Sequence, residues 1–172
     1  MDKKNPSATT GLQPGRFDLR WISFGSPAAI VTSMALIVGL DAATARKGAV
    51  VASLLIIGIA DNLSDSLSVH IYQESESMAR RQAFRTTIAN YAARFAVSAS
   101  FLVLFLALPM GVAGYVCLAW GFLLLSALSY LLARARRLPV LSEILKHTGV
   151  AMIVILISNS IGLAIRSLVL TP

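Results

Sequence analysis

The sequence predicts an all-α, polytopic membrane protein with five transmembrane helices, its N-terminus in the cytoplasm and its C-terminus outside. Three observations predict it. Hydrophobic residues make up 56% of the 172 residues and charged residues only 13%, against roughly 25% charged in a soluble domain. The apolar residues collect in five stretches, each near the ~20 residues that cross a bilayer as a helix. Twelve of the fifteen Lys and Arg residues fall on one side of those stretches and three on the other, and basic loops stay in the cytoplasm.

Residues 1–20 read as a disordered, polar cytoplasmic tail, without the apolar run of a cleaved signal peptide. Residues 21–172 form the transmembrane domain, with spans at about 21–40, 48–70, 92–108, 112–133 and 149–169. The first is entered through Arg20-Trp21, an interfacial pair. The loop Asp41–Lys47 is short, and so is Pro109–Gly111. Spans one and two, and spans three and four, are therefore antiparallel neighbours. The fourth span ends at Arg134, Arg136 and Arg137, and the fifth follows an amphipathic lead-in, Val140–His147. Small residues at four-residue spacing mark span one (Ala28, Thr32; Ala29, Ser33) and span three (Ala92, Ala96, Ser100). Such faces let helices approach closely in lipid.

The net charge of +7 is carried by these cytoplasmic loops. The basic runs lack the interleaved aromatics of a nucleic-acid surface, so no nucleic-acid partner is expected. The one cysteine, Cys117, sits in an apolar run and reads as a small buried residue.

The chemistry concentrates in Asp61–Glu76, which runs directly out of the apolar stretch Ala49–Ala60 with no Gly or Pro break. Acids inside a membrane segment are costly and usually mark a pathway or a binding site. At about 100° per residue, Asp61, Asp65, Ser68, Tyr72 and Glu76 share one helix face, while His70 and Glu74 lie on another. Two nearby carboxylates in a poorly solvated place hold a proton or a divalent cation more readily than nothing. The candidate metal-binding residues are Asp61, Asp65, Ser68, Tyr72, Glu74 and Glu76. Ser64, His70 and Asn159 are candidate path-lining residues. The bland alternatives stay open: Asp61 pairs with Arg94 of span three, Tyr72–Glu76 is a solvated helix end, and Ser158-Asn159-Ser160 joins helices by hydrogen bonds.

Enzymatic readings fit worse. The chain lacks the further Asp, Gly and Arg positions of membrane phosphotransferases, the paired-helix acids of intramembrane aspartyl proteases, a phosphate-binding glycine loop and a nucleophile motif. No enzyme activity and no permanently bound cofactor is expected.

Ile59-Ala60-Asp61-Asn62-Leu63-Ser64, running into Ser68 and Tyr72-Gln73-Glu74-Ser75-Glu76, resembles the second span of the vacuolar iron transporter family. Gly25–Ser33 and Leu138–Lys146 are similar to the family's entries to spans one and five, and the likeness covers most of Trp21–Leu170. It implies five spans, a cytoplasmic N-terminus, a homodimer, and Fe²⁺ or Mn²⁺ carried between the subunits against protons. Three departures accompany it. The family's span-one aspartate falls on Ala28, its span-two methionine on Asp65, and a glutamate on Val69. The cytoplasmic metal-binding helices are missing, with only Ser77–Arg85 in their place. Carboxylate in place of thioether favours the harder Mn²⁺.

The expected function is therefore export of Mn²⁺ or Fe²⁺ from the cytoplasm, perhaps with proton antiport, by an integral protein of a bacterial inner membrane serving metal homeostasis. The alternative is a non-transporting membrane protein that keeps the fold and acts as a binding or regulatory partner.

Overall fold

In the computed structural model, residues 25–44, 46–75 and 79–170 are described. They form five helices and, among the described residues, no strand. The helices are α1 (Ser26–Thr44), α2 (Lys47–Ser75), α3 (Arg80–Ala107), α4 (Met110–Arg136) and α5 (Val140–Leu168). Each is long and apolar enough to cross a membrane. Their outward faces carry large apolar side chains, such as Ile56, Leu63, Phe84, Val103, Leu123 and Ile153, all more than half exposed. Such surface suits lipid, and the chain is an integral membrane protein.

The ends follow local rules. The residue before a proline is pushed to extended backbone, and Leu108, ahead of Pro109, closes α3 in that conformation. Lys47, at the start of α2, donates from Nζ to the carbonyls of Leu106 and Leu108 at 2.8 and 2.9 Å. Those carbonyls would otherwise lack intrahelical donors. At the end of α4, Arg137 adopts the left-handed conformation. The Leu138 N–H then reaches back to the Ala133 carbonyl at 2.9 Å, which closes the helix before Pro139 opens α5.

α1 is the centre of the bundle and packs on all of the other helices. Around it α2 packs on α3, α3 on α4, and α4 on α5. The α1–α5 crossing is tight: a Cβ on Gly162 would collide with the Gly39 carbonyl. Ser158 of α5 donates to the Ala35 carbonyl of α1 at 2.5 Å. Met34 of α1 fills the space over Gly121 of α4 in the same way. Ile30, Met34, Ile37, Phe101 and Phe105 are fully buried and form the apolar core.

The helices outrun the spans read from hydropathy. α3 starts at Arg80 rather than near 92, because its first three turns are polar yet packed. Val140–His147 is not a separate interfacial segment; it continues into α5 without a break. The tail and the Arg20-Trp21 entry lie outside the described residues. Of the small-residue faces, Ala29 and Ser33 are buried, whereas Ala28, Ala92 and Ala96 face outward.

Candidate functional site

The site is set by an irregularity in α2. Residues Ile57–Asp61 form one π-helical turn, in which the Asn62 N–H reaches back to the Ile57 carbonyl. A π turn takes in one extra residue. Everything after it is rotated by about 100° relative to a regular helix. The buried face of α2 runs through Val50, Leu54 and Gly58. A regular helix would carry that face on to Asp61, Asp65 and Ser68. After the π turn it passes to Asn62, Ser66 and Gln73 instead.

α3 answers with polar residues at every fourth position: Thr86, Asn90, Arg94 and Ser98, all buried. The two antiparallel helices therefore meet along a polar ladder. Gln73 accepts a short hydrogen bond from Thr86. Asn90 donates to Ser66 at 3.3 Å. Asn62 donates from Nδ2 to the Ser98 hydroxyl at 3.0 Å and to the Gly58 carbonyl at 3.1 Å. Beyond Ser98 the buried face of α3 turns apolar, at Phe101 and Phe105.

Arg94 is the hub. Only 3% of its side chain is exposed. Nε donates to Asn62 Oδ1 at 3.0 Å, and Nη1 donates to the Gly25 carbonyl at the start of α1 at 2.8 Å. Nη2 lies directly on the Asp65 carboxylate and 3.9 Å from the Asp61 carboxylate. One guanidinium thus joins three helices, using the rigid fork that distinguishes Arg from Lys. Gly25 is needed for this approach, since a Cβ there would lie 2.7 Å from Nη1 and 2.8 Å from Asn90 Oδ1. Asn90 Oδ1 is buried and has no hydrogen-bond partner.

The two carboxylates stand at the edge of this interface, each about half exposed. Two acids against one guanidinium leave a residual charge of one negative. Asp61 lies about fourteen residues, or roughly 21 Å, along α2 from Lys47. That depth is inside a hydrocarbon core about 30 Å thick.

The other residues singled out in the sequence are dispersed. Ser68 is exposed and donates to the Ser64 carbonyl of its own helix at 3.1 Å. The Ser64 side chain is exposed, and Tyr72 is 57% exposed. Glu74 belongs to a separate group, with His70 Nε2 at 3.5 Å and Arg80 Nε at 3.8 Å. The Thr87 hydroxyl donates to the Ala83 carbonyl, so His70 Nδ1, 3.1 Å from that hydroxyl, is its donor. Glu76 lies outside the described residues. Asn159 is remote from Arg94 and lines a cavity between α1, α4 and α5. Among the described residues, no three His, Cys, Asp or Glu side chains gather closely enough to hold a metal.

Sequence reasoning missed Asn62, Ser66, Gln73, Thr86 and Asn90. The signal was present in α3, where polar residues recur every four positions from Thr86 to Ser98. No protein-family model, curated protein or solved structure matches the chain.

Proposed function

We propose that the chain is a divalent-cation transporter that moves Mn²⁺ or Fe²⁺ out of the cytoplasm, with protons as the counter-ion. One observation carries this reading: Asp61 and Asp65 share the single guanidinium of Arg94 and retain one net negative charge at membrane depth. Such a charge facing lipid is costly. A proton neutralises it on one chain. Two chains that bring these faces together present two negative charges, which one divalent cation neutralises. The absence of a three-ligand cluster within one chain, among the described residues, fits a site that needs a second copy. The all-carboxylate donor set favours Mn²⁺ over softer ions. The likeness of Ile59–Ser64 to the vacuolar iron transporter family supports the same direction of argument.

A second reading has its own observation. Arg94 already satisfies Asp65 directly, and its other donors tie α1 to α2. A clamp of that kind is sufficient for a non-transporting membrane protein that keeps the fold. Flux of Mn²⁺ and of protons into proteoliposomes separates the two. Transport that is present in the wild type and lost in Asp61→Asn supports the carrier. A folded wild type that moves neither ion supports the clamp.

A further inference from the structure

The cavity lined by Asn159 has no part in the Arg94 site. It has a volume of about 560 Å³ and opens between α1, α4 and α5. Asp41 of α1 lines it, sixteen residues beyond Gly25 and hence roughly 24 Å along the helix axis from the Arg94 hub. The cavity exists because α4 carries glycines on that wall. A Cβ on Gly114 would sit 3.8 Å from Asp41 Oδ2, and one on Gly111 would meet nothing within 4 Å.

The polar groups in this space are under-used. Asp41 is half-buried and makes no ion pair or hydrogen bond among the described residues. Asn159 is half-buried and its amide likewise makes no hydrogen bond among them. The walls are apolar, with Ile37, Leu118 and Leu163. Pockets for small organic ligands combine this size, roughly 300–1,000 Å³, with apolar walls and a few convergent polar groups. A bare metal ion is poorly served by one carboxylate and one amide in so large a space. An anion alone would meet the Asp41 charge. A primary ammonium group, with three donors, matches the Asp41 carboxylate and the Asn159 carbonyl oxygen. Arg166 also lines the cavity. A guanidinium offers five donors, so Arg166 can meet an anionic group of the same ligand alongside its existing contact in the fold.

We propose that this cavity binds a zwitterion carrying a primary ammonium and a phosphate, the chemistry of an ethanolamine phospholipid headgroup or of free phosphoethanolamine. The ammonium lies on Asp41 and Asn159, the phosphate faces Arg166, and any acyl chains run along the apolar wall.

The test uses the full chain in membranes of phosphatidylcholine alone. Phosphatidylethanolamine is titrated in one arm and O-phosphoethanolamine in the other, with the thermal unfolding midpoint as readout. The quaternary ammonium of phosphatidylcholine has no N–H to donate, so it serves as the internal control. A rise in midpoint with the ethanolamine lipid, and an affinity weakened about tenfold or more in Asp41→Asn, is the expected result, because a lost charge-assisted hydrogen bond is worth about 1.5–3 kcal/mol. A rise in the soluble arm alone keeps the site and assigns it to a free solute. Should Asp41→Asn not fold, Gly114→Leu fills the cavity from the other wall and must abolish the shift. No shift in either arm, or equal shifts in the wild type and a folded variant, overturns the proposal.

Discussion

Arg94 of α3 donates through Nε to Oδ1 of Asn62 on α2 at 3.0 Å, inside the bundle and directly after a π turn. That contact fixes which way α2 faces. With Asn62 turned inward, Asp61 and Asp65 are left at the rim, where one guanidinium serves both.

Replacing Arg94 should therefore destabilise the fold and not only change a charge. Arg94→Leu leaves Asn62, the Gly25 carbonyl and Asp65 without their donor. Removing one partner of a buried ion pair costs about 3–5 kcal/mol, and the half-exposed Asp65 places this case near the lower end. Arg94→Lys should recover little of that, because an ammonium cannot reach three directions. Unfolding midpoints in detergent measure both.

The ladder between α2 and α3 should be graded. In double-mutant cycles, Ser66→Ala with Asn90→Ala should couple by about 0.6 kcal/mol, typical of neutral hydrogen bonds between membrane helices. Asn62→Ala with Arg94→Gln should couple more strongly, by about 1.5 kcal/mol or more, because that bond is charge-assisted. Equal coupling in the two cycles would show that Arg94 does not hold Asn62.

The crossing of α1 and α5 depends on the absence of side chains. Gly162→Ala places a methyl against the Gly39 carbonyl and should destabilise by about 1–3 kcal/mol, as overpacking does. Gly48→Ala, with nothing within 4 Å of the added carbon, is the matched control and should lower the unfolding midpoint little or not at all.

Deleting Ala60 removes the extra residue of the π turn. The following helix should then rotate by about 100°, withdrawing Asn62 and Ser66 from α3 and turning Asp61 and Asp65 inward. A cysteine placed at Leu63, 57% exposed, should change its labelling rate with a lipid-soluble thiol reagent. An unchanged rate, in a folded protein, would show that the turn does not set the facing.

These residues mark what the sequence makes legible. Hydropathy and the distribution of Lys and Arg give five helices and their order, because lipid imposes length and charge placement on each segment separately. Helix facing is different. The 100° spacing correctly groups Asp61, Asp65, Ser68 and Tyr72 on one face, yet it carries no record of the π turn that swings that face outward. The polar first half of α3 is masked for a similar reason: Thr86, Asn90 and Arg94 lower its hydropathy, although all three are buried against α2. Likewise Ser158, Asn159 and Ser160 look like one cluster. In the fold Ser158 holds α1, Asn159 lines a cavity, and Ser160 bonds its own helix.

Mn²⁺ flux into proteoliposomes, measured for the wild type and Asp61→Asn with unfolding midpoints recorded on the same samples, tests the central claim most directly. Asp61 is the acid farther from Arg94, so its amide should leave the midpoint within about 1 kcal/mol of wild type, as a weak ion pair would. The account predicts that flux falls to background while the fold persists. Flux unchanged in a folded Asp61→Asn protein would contradict it.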